Sequence, residues 1–108
     1  MKLLFRNNNV LFGTITISDK TSSAFKATGA FTDFKGLVSA KGFSFKADSA
    51  TEWTDSAVSS DTYAKTFSGL SAETKYNVRM YVTVNRAKQY SAPLDVTTEA
   101  DTVSEPEE

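Results

Sequence analysis

The chain has 108 residues, 40% hydrophobic and 23% charged, and a formal net charge of −1. That is the size and make-up of one ordinary globular domain, with no global field that would draw it onto nucleic acid. It contains no Cys and no His, which excludes thiol nucleophiles, disulfides, Cys/His zinc sites and every Ser-His or Cys-His relay.

Residues 1–9 carry Lys2 and Arg6 and form an N-terminal arm outside the patterned region. Its apolar run, Leu3-Leu4-Phe5, stops at Arg6-Asn7-Asn8-Asn9. A secretory core needs roughly 7–15 apolar residues and a membrane span about 20. The expectation is a chain made in the cytoplasm and not exported by the cell that makes it, with no membrane role.

From residue 10 onward alternation replaces any helical period. Residues 10–18 read as a strand closed by the polar turn Asp19 to Ser23. Residues 24–31 form a second run, with Phe25, Ala27, Gly29 and Phe31 on one face. Thr32-Asp33-Phe34-Lys35-Gly36 is a break. Residues 37–46 follow, with Phe43 and Phe45 together. The stretch 47–61 is small and polar, and holds either a short edge strand around Trp53 or a crossover. Tyr63, Lys65 and Phe67 then alternate with Ala64, Thr66 and Ser68, and Gly69 to Glu73 makes a corner.

Residues 74–85 give the clearest strand. A period of two puts Tyr76, Val78, Met80, Val82 and Val84 in the core. Asn77, Arg79, Tyr81, Thr83 and Asn85 then face water or a partner. Asn85 to Gln89 reads as a polar loop, and residues 90–98 as a last strand with Pro93 at an edge or near its start. Short strands with turns about every ten residues imply an antiparallel sandwich or barrel. Its expected core is Ile15, Ile17, Phe25, Phe31, Phe43, Phe45, Phe67, Val78, Met80, Val82, Leu94 and Val96. The acidic tail, residues 100–108, is expected to be solvated.

No chemistry-bearing constellation emerges. Asp48, Glu52 and Asp55 lack the ligand spacing of a calcium loop, the five glycines are scattered, and no Ser has a base. No catalytic residue, cofactor or metal site is expected. Three candidate interfaces remain. The first is the face of Arg79, Tyr81 and Thr83 with Arg86, Lys88 and Tyr90, because Tyr and Arg combine contact area with donors. The second is Trp53, either a partner- or sugar-stacking side chain or a lid over one end of the core. The third is the arm residues Leu3, Leu4 and Phe5, as a first strand or an added edge strand.

The segment Leu70-Ser71-Ala72-Glu73-Thr74-Lys75-Tyr76-Asn77-Val78-Arg79-Met80-Tyr81-Val82, followed by Ser91-Ala92-Pro93-Leu94-Asp95-Val96-Thr97-Thr98, resembles a fibronectin type III domain. The resemblance implies a seven-stranded immunoglobulin-like sandwich over residues 10–99. It also implies a tyrosine corner at Leu70 and Tyr76, with the Tyr76 phenol bonded to backbone across the preceding turn. Ala72 stands where the family has Pro, and the family's early core Trp has no counterpart. Lys41-Gly42-Phe43-Ser44-Phe45-Lys46 and Lys65-Thr66-Phe67-Ser68-Gly69-Leu70 are similar to divergent repeats of Bacteroides-type surface proteins and of phage virion proteins, auxiliary capsid proteins of crAss-like phages among them. That resemblance implies a non-enzymatic decoration subunit of the virion. It would be bound to the outside of the shell in many copies, with the major capsid protein or other virion proteins as partners. The alternative is an adhesion or glycan-binding module of a bacterial surface protein.

Overall fold

The computed structural model describes residues 10–100. The arm residues Leu3, Leu4 and Phe5, and the tail beyond Ala100, lie outside the described residues.

Ten strands follow one another: β1 (Val10–Phe12), β2 (Thr16–Ser18), β3 (Phe25–Thr28), β4 (Phe31–Asp33), β5 (Val38–Ala47), β6 (Thr54–Ala57), β7 (Ala64–Phe67), β8 (Lys75–Val84), β9 (Ala87–Tyr90) and β10 (Leu94–Thr97). All pairings are antiparallel. One layer holds the three-stranded sheet β2-β3-β7 and the two-stranded sheet β1-β4. The other is a five-stranded sheet ordered β10-β8-β5-β6, with β9 also on β8.

The all-β architecture agrees with the alternation, but the strand count departs from seven. Three runs that read as continuous are each broken once. Gly13 to Ile15 interrupts 10–18, where the Gly13 N–H bonds the Ala30 carbonyl at 2.8 Å and links the two ladders. Gly29 and Ala30 interrupt 24–31. Ser91 to Pro93 interrupts 90–98, where Ser91 exchanges backbone and hydroxyl bonds with Met80 at 2.9 Å. Pro93 has no N–H to give a ladder and stands just before β10.

The expected loop at 85–89 is instead a tight hairpin. Val84 pairs Ala87, leaving Asn85 and Arg86 as the whole turn. Both have positive φ, 51° and 68°, the mark of the turn whose twist matches paired strands.

The core is aromatic. Phe25, Phe43, Val78 and Met80 are buried between the layers with Phe67, Tyr76, Tyr63 and Val96. Phe45 stacks between Phe67 and Tyr76, with centroids 4.5 and 5.2 Å away. Burial of each such side chain contributes roughly 1.5–3 kcal/mol. Val10, Val82 and Val84 form a smaller cluster against Phe12, Phe31 and Val38 at the β1–β4 end.

Leu94 was expected in this core and is 37% exposed instead. It pairs Val78 on the outermost strand, where no further strand covers it. Ile17, Phe31 and Phe45 are only partly buried. Val58 and Tyr63 are buried without having been expected. The Tyr63 hydroxyl donates to the Gly42 and Tyr81 carbonyls. Burial pushes its pKa up to about 12.

Candidate functional site

The long strands β5 and β8 set the outward face of the five-stranded sheet. Register places Asp95, Asn77 and Lys46 in one row, and Arg79, Ser44 and Asp55 in the next. Tyr90, Tyr81, Gly42 and Ala57 make a third. The structure brings five of the predicted interface residues together here: Trp53, Arg79, Tyr81, Lys88 and Tyr90. Arg86 stands apart at the exposed hairpin tip.

This face is not the open surface that alternation implied. The Arg79 guanidinium is sandwiched between two rings, 4.0 Å from the Trp53 centroid and 3.8 Å from that of Tyr90. A guanidinium so placed is held by the ring quadrupoles and covers their faces. Trp53 is therefore neither a lid over one end of the core nor a free stacking platform. It lies on the outside of the sheet, half-buried. Tyr81, expected to face water or a partner, is only 4% exposed. Its ring lies over Gly42, where a Cβ would come within 2.7 Å of it and 2.3 Å of the Ser56 carbonyl. Only glycine admits the ring there.

A polar strap crosses the same face. Asp55 on β6 accepts from Lys88 Nζ at 2.8 Å and from the Tyr90 hydroxyl at 3.0 Å, both on β9. Partial burial works to raise the Asp55 carboxyl. The Lys88 ammonium, with the Tyr90 hydroxyl, outweighs it and holds the carboxyl below its ordinary value. The same contact raises Lys88 above the usual lysine value, against a smaller opposing effect of burial. Most of the donors and rings proposed for a partner are thus engaged within the domain.

At the tyrosine-corner position, the Ser71 N–H donates to the Tyr76 oxygen at 2.9 Å. Leu70 packs against the core beside it, and the Leu70 N–H bonds the Ser23 carbonyl. The corner is stitched further by the Thr98 hydroxyl, which donates to the Ser71 carbonyl at 2.6 Å and accepts from the Thr74 N–H at 3.0 Å.

A different surface emerges at the opposite pole. The β4–β5 connection, Phe34 to Leu37, is held from below by Asp33. Its two carboxylate oxygens accept the Leu37 and Val38 N–H groups at 3.1 and 3.0 Å. The Val38 bond foremost, aided by other loop amides, keeps the Asp33 carboxyl below its ordinary value against desolvation. Gly36 completes the turn at φ 66°, a region that glycine enters without steric cost. The loop displays Phe34, 60% exposed, and Leu37, 39%, and Leu11 on β1 is also 60% exposed. Next to it an open cleft of about 620 Å³ runs between β4 and β5, lined by Phe31, Val38, Ala40, Lys41 and Val58. In the sequence this loop reads only as a break. The available signal was a large aromatic placed inside an Asp-to-Gly turn, where solvation favours polar residues.

Among the described residues, no group of three Asp or Glu side chains is placed to hold a metal ion. No helix of the described residues is long and apolar enough to cross a membrane.

No known protein-family pattern matches the chain, and no curated protein matches it. Solved structures do. The fn3 domain of human contactin 1 is similar with a TM-score of 0.73 at 14% identity, over 90% of this chain and 82% of that one. The chicken CNTN1 FN1–FN3 domains give 0.72 at 14% identity, over 82% of this chain and 32% of theirs. The FN3 domain of human collagen XX gives 0.66 at 15% identity, over 82% of this chain and 90% of that one. At these identities the likeness establishes a fibronectin type III-like β-sandwich, and a fold of this kind hosts many functions.

Proposed function

We propose that the domain is a non-enzymatic protein-interaction module that serves as an auxiliary, decoration-type subunit on the outside of a phage capsid. The observation that carries the interaction role is the apolar tip of Leu11, Phe34 and Leu37. Asp33 fixes the loop that carries Phe34 and Leu37 through the Leu37 and Val38 N–H groups, and Leu11 lies on β1, which pairs β4. Exposed apolar side chains on a fixed loop are what a partner surface needs, because little ordering entropy is lost on contact. The virion setting is supported by the resemblance of the Lys41–Lys46 and Lys65–Leu70 segments to phage-borne modules. Many copies on a symmetric shell would convert modest single contacts into firm attachment. The partner is the major capsid protein or another virion protein.

The alternative, an adhesion or glycan-binding module of a surface protein, would draw on Trp53. Arg79 covers one face of that ring at 4.0 Å, which leaves less of it for a sugar. Mass spectrometry of purified phage particles separates the two: the capsid role predicts this chain at high copy number in particles. Its absence from particles rejects that role.

A further inference from the structure

On β5 and β8, Lys46 and Asn77 are direct cross-strand partners. Lys46 Nζ lies 2.8 Å from Asn77 Oδ1. The carbonyls of Ala50, Asp48 and Ala47, at 3.0, 3.3 and 3.4 Å, hold the nitrogen in place from its other side. Asn77 is only 7% exposed. Its amide nitrogen donates to two carboxylates, Asp48 at 3.1 Å and Asp95 at 2.9 Å. The Trp53 ring lies 5.3 Å from Lys46 Nζ and shields the pair from one side. A lysine nitrogen, the carboxamide whose oxygen it contacts and a carboxylate on the amide nitrogen therefore converge on one point. None of the three is used by the interaction surface proposed above.

We propose that Lys46 and Asn77 form an intramolecular isopeptide bond, a covalent staple between the two central strands of the five-stranded sheet. The Lys46 ammonium gives one proton to solvent; Nζ then attacks Asn77 Cγ, and the carbonyl electron pair moves to Oδ1. The second proton leaves Nζ through the Asp48 carboxylate, which passes it to Nδ2. The tetrahedral centre collapses as the Cγ–Nδ2 bond breaks, and the ammonia that leaves takes back the solvent proton as ammonium. The balance is one lysine ammonium and one carboxamide going to one secondary amide and one ammonium ion. No oxidant, metal or second substrate enters. Holding the amine against the amide removes the entropic cost that makes this exchange slow between free molecules. General acid help to the leaving nitrogen lowers the remaining barrier.

The test is the intact mass of the purified, folded full chain, followed by tandem mass spectrometry of its peptides. The expected result is a mass lower than the sequence value by one ammonia, with the peptides containing Lys46 and Asn77 recovered joined. Lys46→Arg, which keeps the charge and the hydrogen bond but not the nucleophile, should show the full sequence mass with unchanged circular dichroism. The Asn77→Asp variant should form the same bond by losing one water instead. A wild-type mass equal to the sequence value, or a lost ammonia confined to the Asn77 peptide, overturns the proposal.

Discussion

At the scale of single residues, three positions show how a local conformation is tied to stability. Gly42 admits the Tyr81 ring because it has no Cβ. Gly42→Ala should destabilise the domain by about 1–3 kcal/mol, the usual cost of overpacking, read as a lower urea midpoint. Arg86 is an L-residue held at φ 68° in the two-residue β8–β9 turn. Arg86→Gly should stabilise by about 1 kcal/mol, since the left-handed region costs roughly that for a residue with a Cβ. An unchanged or lowered midpoint would contradict the turn geometry. Tyr76→Phe removes the acceptor for the Ser71 N–H and should cost about 1–2 kcal/mol. Equal stability of the variant would show that the corner bond contributes nothing.

Among the elements, the outward face of the five-stranded sheet joins its edges. Asp55 on β6 reaches Lys88 and Tyr90 on β9 above the central strands. Because the folded-state pKa of Asp55 is depressed, its contribution is present above the unfolded carboxyl value of about 3.9 and is lost as pH falls through the lower folded value. Acidification below about pH 4 should therefore destabilise the wild type more than Asp55→Asn. Identical acid sensitivity would show that the strap carries no linkage. The element boundaries also show what the sequence made legible. Period-two alternation identified β5 and β8, because each spans ten residues and carries core side chains such as Phe43, Val78 and Met80 at every second position. It also predicted most of the aromatic core. The breaks at Gly13, Gly29 and Ser91 were not legible, because both halves of each run keep β-type residues while they change partners. The burial of Tyr81 was hidden for another reason. Alternation assigns a residue to a face, but the packing of Trp53, Arg79 and Tyr90 decides whether that face is wet. Likewise, Phe34 in a turn signalled exposure of an aromatic, but only the Asp33 bonds to Leu37 and Val38 show that the loop is fixed.

For the whole molecule, the two ends of the sandwich differ in what they show to solvent. The outward face of the larger sheet is spent on its own stacking and strap, whereas the pole at Leu11, Phe34 and Leu37 is not. Among the described residues, one pole is stitched together by the tyrosine corner and the other exposes apolar side chains. The most direct measurement is the copy number of this chain on phage particles purified from cells that make either wild type or Phe34→Ser/Leu37→Ser. Wild type should be abundant on the shell. The double variant should be depleted at least about tenfold, a loss of about 1.4 kcal/mol or more in binding, while keeping its circular dichroism. Equal occupancy by the two proteins, or the absence of wild type from the particles, would contradict a capsid-bound module that attaches through this tip.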